Sequence, residues 1–260
     1  MSNGLKIIAC VKVVPGAVTK LRVTESQDRL TYESGPLLIN ESDEYALEQA
    51  VALKKRFGGE VIVMTVGTLT SQKVLQLGIA RGADRAIRID SDINDGESIS
   101  RVLAEAIKKV DYDLILTGVE STDNMAARVG VSVAERLHLP FAYAVTMVEL
   151  AQSSGTIKVT KEMGGGTRQV LEMPLPALLC IQSGILPLGY IPLRRLLEAR
   201  SKPIECLSLG DMGINEDEIK QLRQFRIIEA FTPKSGHKAE IIEGTPAEVA
   251  KILLQKVREA

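Results

Sequence analysis

Residues 40–43 read Asn-Glu-Ser-Asp directly before a helical pattern, and residues 123–130 read Asp-Asn-Met-Ala-Ala-Arg-Val-Gly at the start of another. No nucleophile in the chain stands beside a base, and the carboxylates Glu120, Asp123 and Glu162 are isolated. The chemistry on offer is therefore ligand holding. The small residues Ala126, Ala127 and Gly130 would let a ligand approach the backbone, and a helix N-terminus offers free N–H groups to a phosphate. Arg128 adds a planar cationic fork suited to the same group. Small residues at a helix start serve helix–sheet packing equally well. Neither a Gly-x-Gly-x-x-Gly nor a Walker lysine motif accompanies them. The pattern alone leaves both nucleotide binding and plain packing open.

The elements that must position these residues are legible. Four aliphatic runs of strand length begin at Leu5, Glu60, Arg85 and Tyr112, each bounded by Gly, Asp or Pro. Helical patterns lie between them. Residues 41–57 have Asp43 and Glu44 in the first turn, where acids face unpaired N–H groups. Residues 71–81 end at Gly82. Ile99, Val102, Leu103, Ala106, Ile107 and Val110 form one apolar stripe at the helical period, and a fourth helix is expected from about Asp123 to Leu137. Alternation of this kind predicts an α/β fold, a mostly parallel Rossmann-like sheet wrapped by helices with right-handed crossovers. Ligands in such sheets sit beyond the carboxyl ends of the strands. Those ends are Ala9–Lys12, Val66–Gly67 and Thr117–Gly118, and the helix starts that face them are Asn40–Asp43 and Asp123–Gly130. The polar segment 14–36 interrupts the alternation with a small hairpin, LRVT then RLTY.

After Pro140 the pattern changes. YAVTMVEL, TIKVTKEM and TRQVLEM alternate and are separated by SSG and GGG, which are turn signals, so antiparallel strands are added to the sheet. PALLCIQSG from Pro176 is another buried strand. GILPLGYIPL is an apolar loop punctuated by Pro and Gly, followed by a short helix RRLLEAR. Beyond Lys202 the chain turns polar and ends in a helix that Thr245 and Glu248 are spaced to cap. The expected organisation is a nucleotide-binding α/β domain over residues 1–200 and a C-terminal extension over 201–260.

Composition excludes several classes. Lys+Arg is 32 against Asp+Glu 33, a net charge of −1, which gives no electrostatic footprint for nucleic acid. Aromatics are 3% with no Trp, so there is no surface for stacking bases, and the core is left to Val, Leu, Ile and Ala. No apolar run reaches the ~18 residues of a membrane span, and MSNGLKIIACVK is too short and too soon charged for a secretory signal. Cys10 and Cys180 lie in apolar runs and read as buried free thiols of a reducing, cytoplasmic compartment. The two histidines, His138 and His237, are far apart in the chain, which argues against a zinc site or a His-based dyad. No metal site is expected.

Several blocks occur together in one order: IIACVKVVPG, INESDEYALEQAVALKKRFGGEVIVMTVG, LGIARGADRAIRI, DLILTGVESTDNMAARVGVSVAERLHLP, KEMGGGTRQVLEMPLPALLCIQSG and EARSKPIE. Together they resemble the β subunit of electron transfer flavoprotein, the ETF β/FixA family, over about residues 5–210. The Asn-acid-Ala-x-Glu-x-Ala pattern matches Asn40 to Ala50, Gly-Ala-Asp matches Gly82, Ala83 and Asp84, and an Asp followed seven residues later by Gly matches Asp123 and Gly130.

The resemblance implies a subunit that is not catalytic alone. It implies pairing with an α subunit that carries the redox-active FAD, with AMP in the β subunit's own site, or a second FAD there in electron-bifurcating members. Position by position, it implies nucleotide contacts at Ala9; at Asn40, Glu41, Ser42 and Asp43; at Val66 and Gly67; and at Asp123, Asn124, Met125, Ala126, Ala127, Arg128, Val129 and Gly130. It further implies an electron donor such as an acyl-CoA dehydrogenase, with a membrane quinone reductase among the acceptors. Two blocks depart from the family. Strand four is usually followed by Gly-Lys/Arg-Gln, where this chain has Gly118, Val119 and Glu120, and Arg128 replaces a usual Gln. In place of the family's Asn-Glu-Pro-Arg-Tyr, residues 186–195 read LPLGYIPLRR, with Gly189 at the arginine position and Tyr190 kept. Leu186, Leu188, Tyr190, Ile191, Leu193, Arg194 and Arg195 suit docking of a redox partner; packing of this loop on the α subunit is the alternative. The competing classes are a nucleotide-binding regulatory module and a stand-alone adenylating enzyme. Both call for phosphate-gripping loops that this sequence lacks.

Overall fold

The computed structural model describes residues 4–26, 30–150, 155–221, 227–232 and 239–259. The chain begins with β1 (Leu5–Cys10), β2 (Val13–Pro15), β3 (Lys20–Val23), β4 (Leu30–Ser34) and β5 (Leu37–Ile39), then α1 (Glu41–Phe57). It continues through β6 (Gly59–Val66), α2 (Gln72–Arg81), β7 (Arg85–Ile89), α3 (Gly96–Ile107), β8 (Leu114–Gly118) and α4 (Val129–Arg136). Next come β9 (Phe141–Leu150), β10 (Thr156–Glu162), β11 (Arg168–Pro174), β12 (Ala177–Ile181), α5 (Leu193–Arg200), β13 (Glu205–Leu207), α6 (Glu216–Gln221) and α7 (Pro246–Glu259).

Nine described strands form one sheet in the order β11-β10-β9-β12-β8-β1-β6-β7-β13. From β9 to β13 neighbours run parallel, while β9, β10 and β11 meander antiparallel at the other edge. The central strands are buried on both faces, and their residues alternate between two cores. Ile7, Ala9, Val61, Val63, Leu114 and Leu116 face α1 and α2, against Ala46, Leu47, Ala50, Val74 and Leu75. Ile8, Ile62, Met64, Ile115 and Leu178 face α3 and α4, against Val102, Leu103, Ile107, Val133 and Ala134. This is the helix-wrapped parallel sheet that the aliphatic runs require. Each fully buried Ile or Leu contributes ~1.5–3 kcal/mol.

Two helix ends close as their glycines suggest. Gly58 donates to the Lys54 carbonyl at 2.8 Å with φ 76°, and Gly82 donates to the Gly78 carbonyl at 3.1 Å with φ 135°. The expected GGG turn joins β10 to β11, with Gly165 at φ 72°. Of the SSG turn, Ser153 and Ser154 lie outside the described residues, as does His237. The sheet continues past residue 200, because β13 pairs with β7 from Glu205↔Ile87 to Leu207↔Ile89, and Ile214 and Ile219 join the α3/α4 core.

Two compact units divide the chain, residues 1–21 with 32–226 and residues 22–31 with 227–260. In the second unit the Thr31 hydroxyl donates to the Arg22 carbonyl at 3.2 Å. Its helix α7 starts with Pro246 and is capped from Thr245, whose N–H donates to the Glu248 carboxylate at 2.8 Å. Leu253, Leu254 and Val257 on this helix are exposed.

Candidate functional site

From β1 the chain builds outward through β6 and β7 on one side, then crosses back to place β8 and β12 on the other. The reversal falls between β1 and β8. At such a switch point the loops leaving two neighbouring strands part in opposite directions and open a crevice at their carboxyl ends. Three segments meet there: residues 11–12 after β1, the first turn of α1, and residues 119–128 after β8.

Asp43 joins two of them. Its carboxylate accepts from the Lys12 N–H at 2.8 Å and from the Gly118 N–H at 2.9 Å. The side chain is buried, and burial pushes its carboxyl up to about 7, against the opposing pull of the two backbone donors, the Asn40 side chain and the Lys12 charge. The sequence placed Asp43 at the helix start as an acid facing α1's own N–H groups; the structure turns it outward to β1 and β8 instead. Asn40 likewise makes no cap hydrogen bond. Its amide donates to the Glu120 carbonyl at 2.8 Å and to Ser42 at 3.0 Å, and its carbonyl oxygen accepts from the Thr122 N–H at 3.1 Å. The Ser42 hydroxyl donates to the same Glu120 carbonyl at 2.6 Å. The helix start is thus specified by long-range contacts to the β8 loop.

That loop differs from the expected helix. α4 begins at Val129, so Asp123–Arg128 are not helical. Ser121 donates to the Asn124 side chain at 2.8 Å, and the Met125 N–H donates to the Ser121 carbonyl at 2.9 Å. Met125 and Ala127 take left-handed backbone at φ 48° and 51°, which side-chain-bearing residues adopt only where surroundings demand it. The Lys12 ammonium donates to both Asp123 oxygens, at 2.6 and 2.7 Å, and to Ser121 at 3.2 Å. Burial works to raise the Asp123 carboxyl, but hydrogen bonds from Lys12 and Ser121 outweigh it and hold the group below its ordinary range. Arg128 is engaged elsewhere: it pairs with Glu97 on α3 at 3.3 Å, a carboxylate that Arg136 also contacts.

Glycine makes the close approach possible. A Cβ at Gly118 would stand 2.3 Å from the Ser42 hydroxyl and 2.4 Å from the Asp43 carboxylate; one at Gly130 would stand 2.5 Å from the Thr117 hydroxyl and 2.6 Å from the Cys180 sulfur. Of the remaining strand-end candidates, Ala9 buries its side chain in the α1 core and leaves only backbone to a ligand. Val66 ends β6 and Gly67 follows it, donating to the Ile89 carbonyl at 2.9 Å and accepting from buried Arg88 at 2.9 Å. Glu41 is exposed at the first position of α1. The structure therefore gathers Asn40, Ser42, Asp43, Asp123 and Asn124 into one hydrogen-bonded rim and leaves Arg128 bound to α3. Lys12 and Gly118, named in the sequence only as strand ends, join that rim, as does Ser121, which was not named. Their position at strand ends was the available signal.

The donors here suit a phosphorylated nucleotide: an ammonium at the rim and the N–H groups of the first turn of α4. Cys10 and Cys180 are pushed up to about 12 and 11, mainly by burial, and stay protonated. Among the described residues no three metal-ligating side chains come together, and no described helix is long and apolar enough to cross a membrane.

A second candidate surface lies at residues 186–195. Tyr190 is 88% and Leu193 66% exposed, and Leu188 is exposed, whereas Leu186 and Ile191 are half-buried. α5 starts at Leu193, so Arg194 lies in its first turn and pairs with Glu198 at 2.7 Å, four residues on. Exposed Leu197 extends the apolar face of this helix and was not anticipated.

The mostly parallel helix-wrapped sheet, with a crevice at its switch point, defines an α/β protein of Rossmann-like architecture. The family description "Electron transfer flavoprotein domain" matches residues 31–212. The electron transfer flavoprotein subunit beta of Methylophilus methylotrophus is 32% identical, with 98% of each chain covered. The subunit of the same name from Bacillus subtilis is 31% identical over 91% of this chain and 95% of its own. The caffeyl-CoA reductase-Etf complex subunit CarD of Acetobacterium woodii is 29% identical, with 98% of each covered. The chain belongs to the electron transfer flavoprotein family, in its β-subunit (ETF β/FixA) branch.

Proposed function

We propose that this chain is the β subunit of a heterodimeric electron carrier. In this reading it holds a structural AMP at the β1/β8 switch point, and its α partner binds most of the FAD. Lys12, the rim of Asn40, Ser42, Asp43, Asp123 and Asn124, and the backbone from Ala126 to Gly130 would hold the nucleotide. When bound, the flavin supplies the redox chemistry, accepting and releasing electrons without a bond to protein. The chain's own residues bind, orient and exclude water. The buried Asp43 fixes the spacing of β1 and β8, and the Lys12–Asp123 pair fixes the loop across them.

The observation that supports this reading most is the pinned loop at the switch point. Its backbone is held in a conformation that its residues would not choose alone, as a preorganised ligand site requires. The C-terminal extension, ending in the exposed apolar face of α7, is assigned to packing on the α partner. The apolar segment 186–195 is assigned to docking of a flavin dehydrogenase acting on an acyl-CoA, in keeping with the reductase complex named for the relative from Acetobacterium woodii. Cytoplasmic placement fits the buried free thiols.

The test is co-purification with an α-type subunit, followed by nucleotide extraction and chromatography. One FAD and one AMP per heterodimer is the expected result. Two FAD and no AMP would assign the β site to a second flavin. A pair with neither adenylate nor flavin would overturn the reading.

A further inference from the structure

Arg81, the last residue of α2, is buried, and no side-chain partner of it lies on its own helix. One terminal nitrogen pairs with Glu44 and the other with Glu48, both on α1. The second nitrogen also donates to the Gly189 carbonyl at 3.3 Å. A Cβ on Gly189 would meet the Glu48 carboxylate at 3.1 Å, so the loop backbone descends directly onto the ion cluster. On either side of that contact the loop turns Leu188 and Tyr190 outward.

A buried cation between two carboxylates is costly to assemble and is a weak source of stability. Its planar fork is instead well suited to fixing geometry, because three acceptors must be placed at once. Two of these acceptors belong to α1, whose first turn builds the nucleotide rim. The third is a loop carbonyl. Arg81 thus joins the loop backbone at Gly189 to the two α1 carboxylates.

We infer that Arg81 is the positioning residue of the 186–195 segment. It holds the Gly189 carbonyl against the Glu44/Glu48 pair and thereby sets how Leu188 and Tyr190 are presented to the redox partner. The part concerning the partner rests on the docking role proposed above; the anchoring of the loop does not.

Hydrogen exchange followed by mass spectrometry on the assembled heterodimer tests this. Arg81→Lys keeps the charge between the carboxylates but cannot span three acceptors. A second variant, Arg81→Met with Glu48→Gln, removes the cation together with the more buried of its carboxylates. In both, the peptide covering residues 185–192 should exchange about tenfold faster, the equivalent of ~1.4 kcal/mol of lost anchoring. Peptides from β1 and β8 should keep their wild-type rates. Wild-type exchange of 185–192 in both variants overturns the inference, and so does faster exchange spread evenly over α1, α2 and the strands, which would mark Arg81 as a general packing residue. Reduction of the same heterodimers by an acyl-CoA dehydrogenase gives the partner arm: KM for the heterodimer should rise while kcat holds. Should that dehydrogenase fail to reduce the wild type, the docking reading falls, while the exchange data still decide the anchor.

Discussion

The Lys12 ammonium lies 2.6 Å from the Asp123 carboxylate, 111 residues further along the chain. It ties the end of β1 to the loop after β8 across the point where the sheet reverses direction. Both side chains are partly exposed, at 36% and 28%, so the pair itself contributes only ~0.2–1 kcal/mol to stability. Its value lies in where it holds a positive charge.

Replacement Lys12→Met should therefore separate binding from folding. A charge-assisted contact to a phosphate is worth ~1.5–3 kcal/mol, so AMP affinity of the nucleotide-stripped heterodimer should fall about ten- to hundredfold. The melting temperature without nucleotide should barely move. Calorimetric titration and a thermal melt read the two quantities. Unchanged AMP affinity would remove Lys12 from the site.

Asp43 predicts a pH dependence of opposite sign to the usual carboxylate. Its folded-state value, about 7, lies above the ordinary 3.8 because burial disfavours the charge. Between those values the folded chain binds the proton that the unfolded chain has released. Its contribution to stability is therefore full below about pH 4 and is lost as pH rises through 7, a decline of a few kcal/mol at most. Denaturant titrations of the nucleotide-free protein from pH 5 to pH 8 should show wild type losing stability relative to Asp43→Asn. A wild-type curve parallel to that of the variant would show that Asp43 does not titrate in this window.

Much of this was legible beforehand, for identifiable reasons. The aliphatic runs at Leu5, Glu60 and Tyr112 could only be strands covered on both faces, and Gly58 and Gly82 mark helix ends through a backbone conformation that other residues avoid. The start of α4 was not legible. Residues 123–128 contain nothing that bars a helix, and the loop arises from contacts made far away: Asn40 and Ser42 hold Glu120 and Thr122, and Lys12 holds Asp123. The role of Asp43 was misread for the same reason, since an acid at a helix start and a long-range anchor are the same residue type. In the sequence Arg81 is one more basic residue in the last turn of a helix. Only the fold shows that Glu44, Glu48 and Gly189 converge on it. β13 escaped because a three-residue edge strand carries almost no periodic signal.

Gly118→Ala should be costly although the position adopts ordinary backbone. The added Cβ would stand 2.7 Å from the Asp43 backbone nitrogen, besides the Ser42 and Asp43 side-chain contacts. Backbone cannot swing away as a flexible side chain can, so β8 and α1 must separate. Such overpacking costs ~1–3 kcal/mol, and the Asp43 carboxylate would lose its grip on the Gly118 N–H. Chemical denaturation should show the loss in stability, and AMP content after purification should drop with it. An alanine variant as stable as wild type would mean that the α1–β8 junction is looser than these distances imply.

Tyr190 and Leu193 offer the opposite case, residues whose loss the fold should not register. At 88% and 66% exposure they bury little on folding, so Tyr190→Ala and Leu193→Asp should each change stability by no more than ~0.5 kcal/mol. An apolar anchor at the centre of a docking patch is worth ~2 kcal/mol or more to the partner complex, and an aspartate at 193 adds the cost of burying a charge. KM for the heterodimer in reduction by an acyl-CoA dehydrogenase should rise about thirtyfold or more, with FAD and AMP content intact. The same variants separate the two occupants of this surface. If size-exclusion chromatography shows the heterodimer itself coming apart, residues 186–195 face the α subunit. If the heterodimer survives and only electron delivery fails, they face the dehydrogenase, the outcome expected of the docking role proposed above.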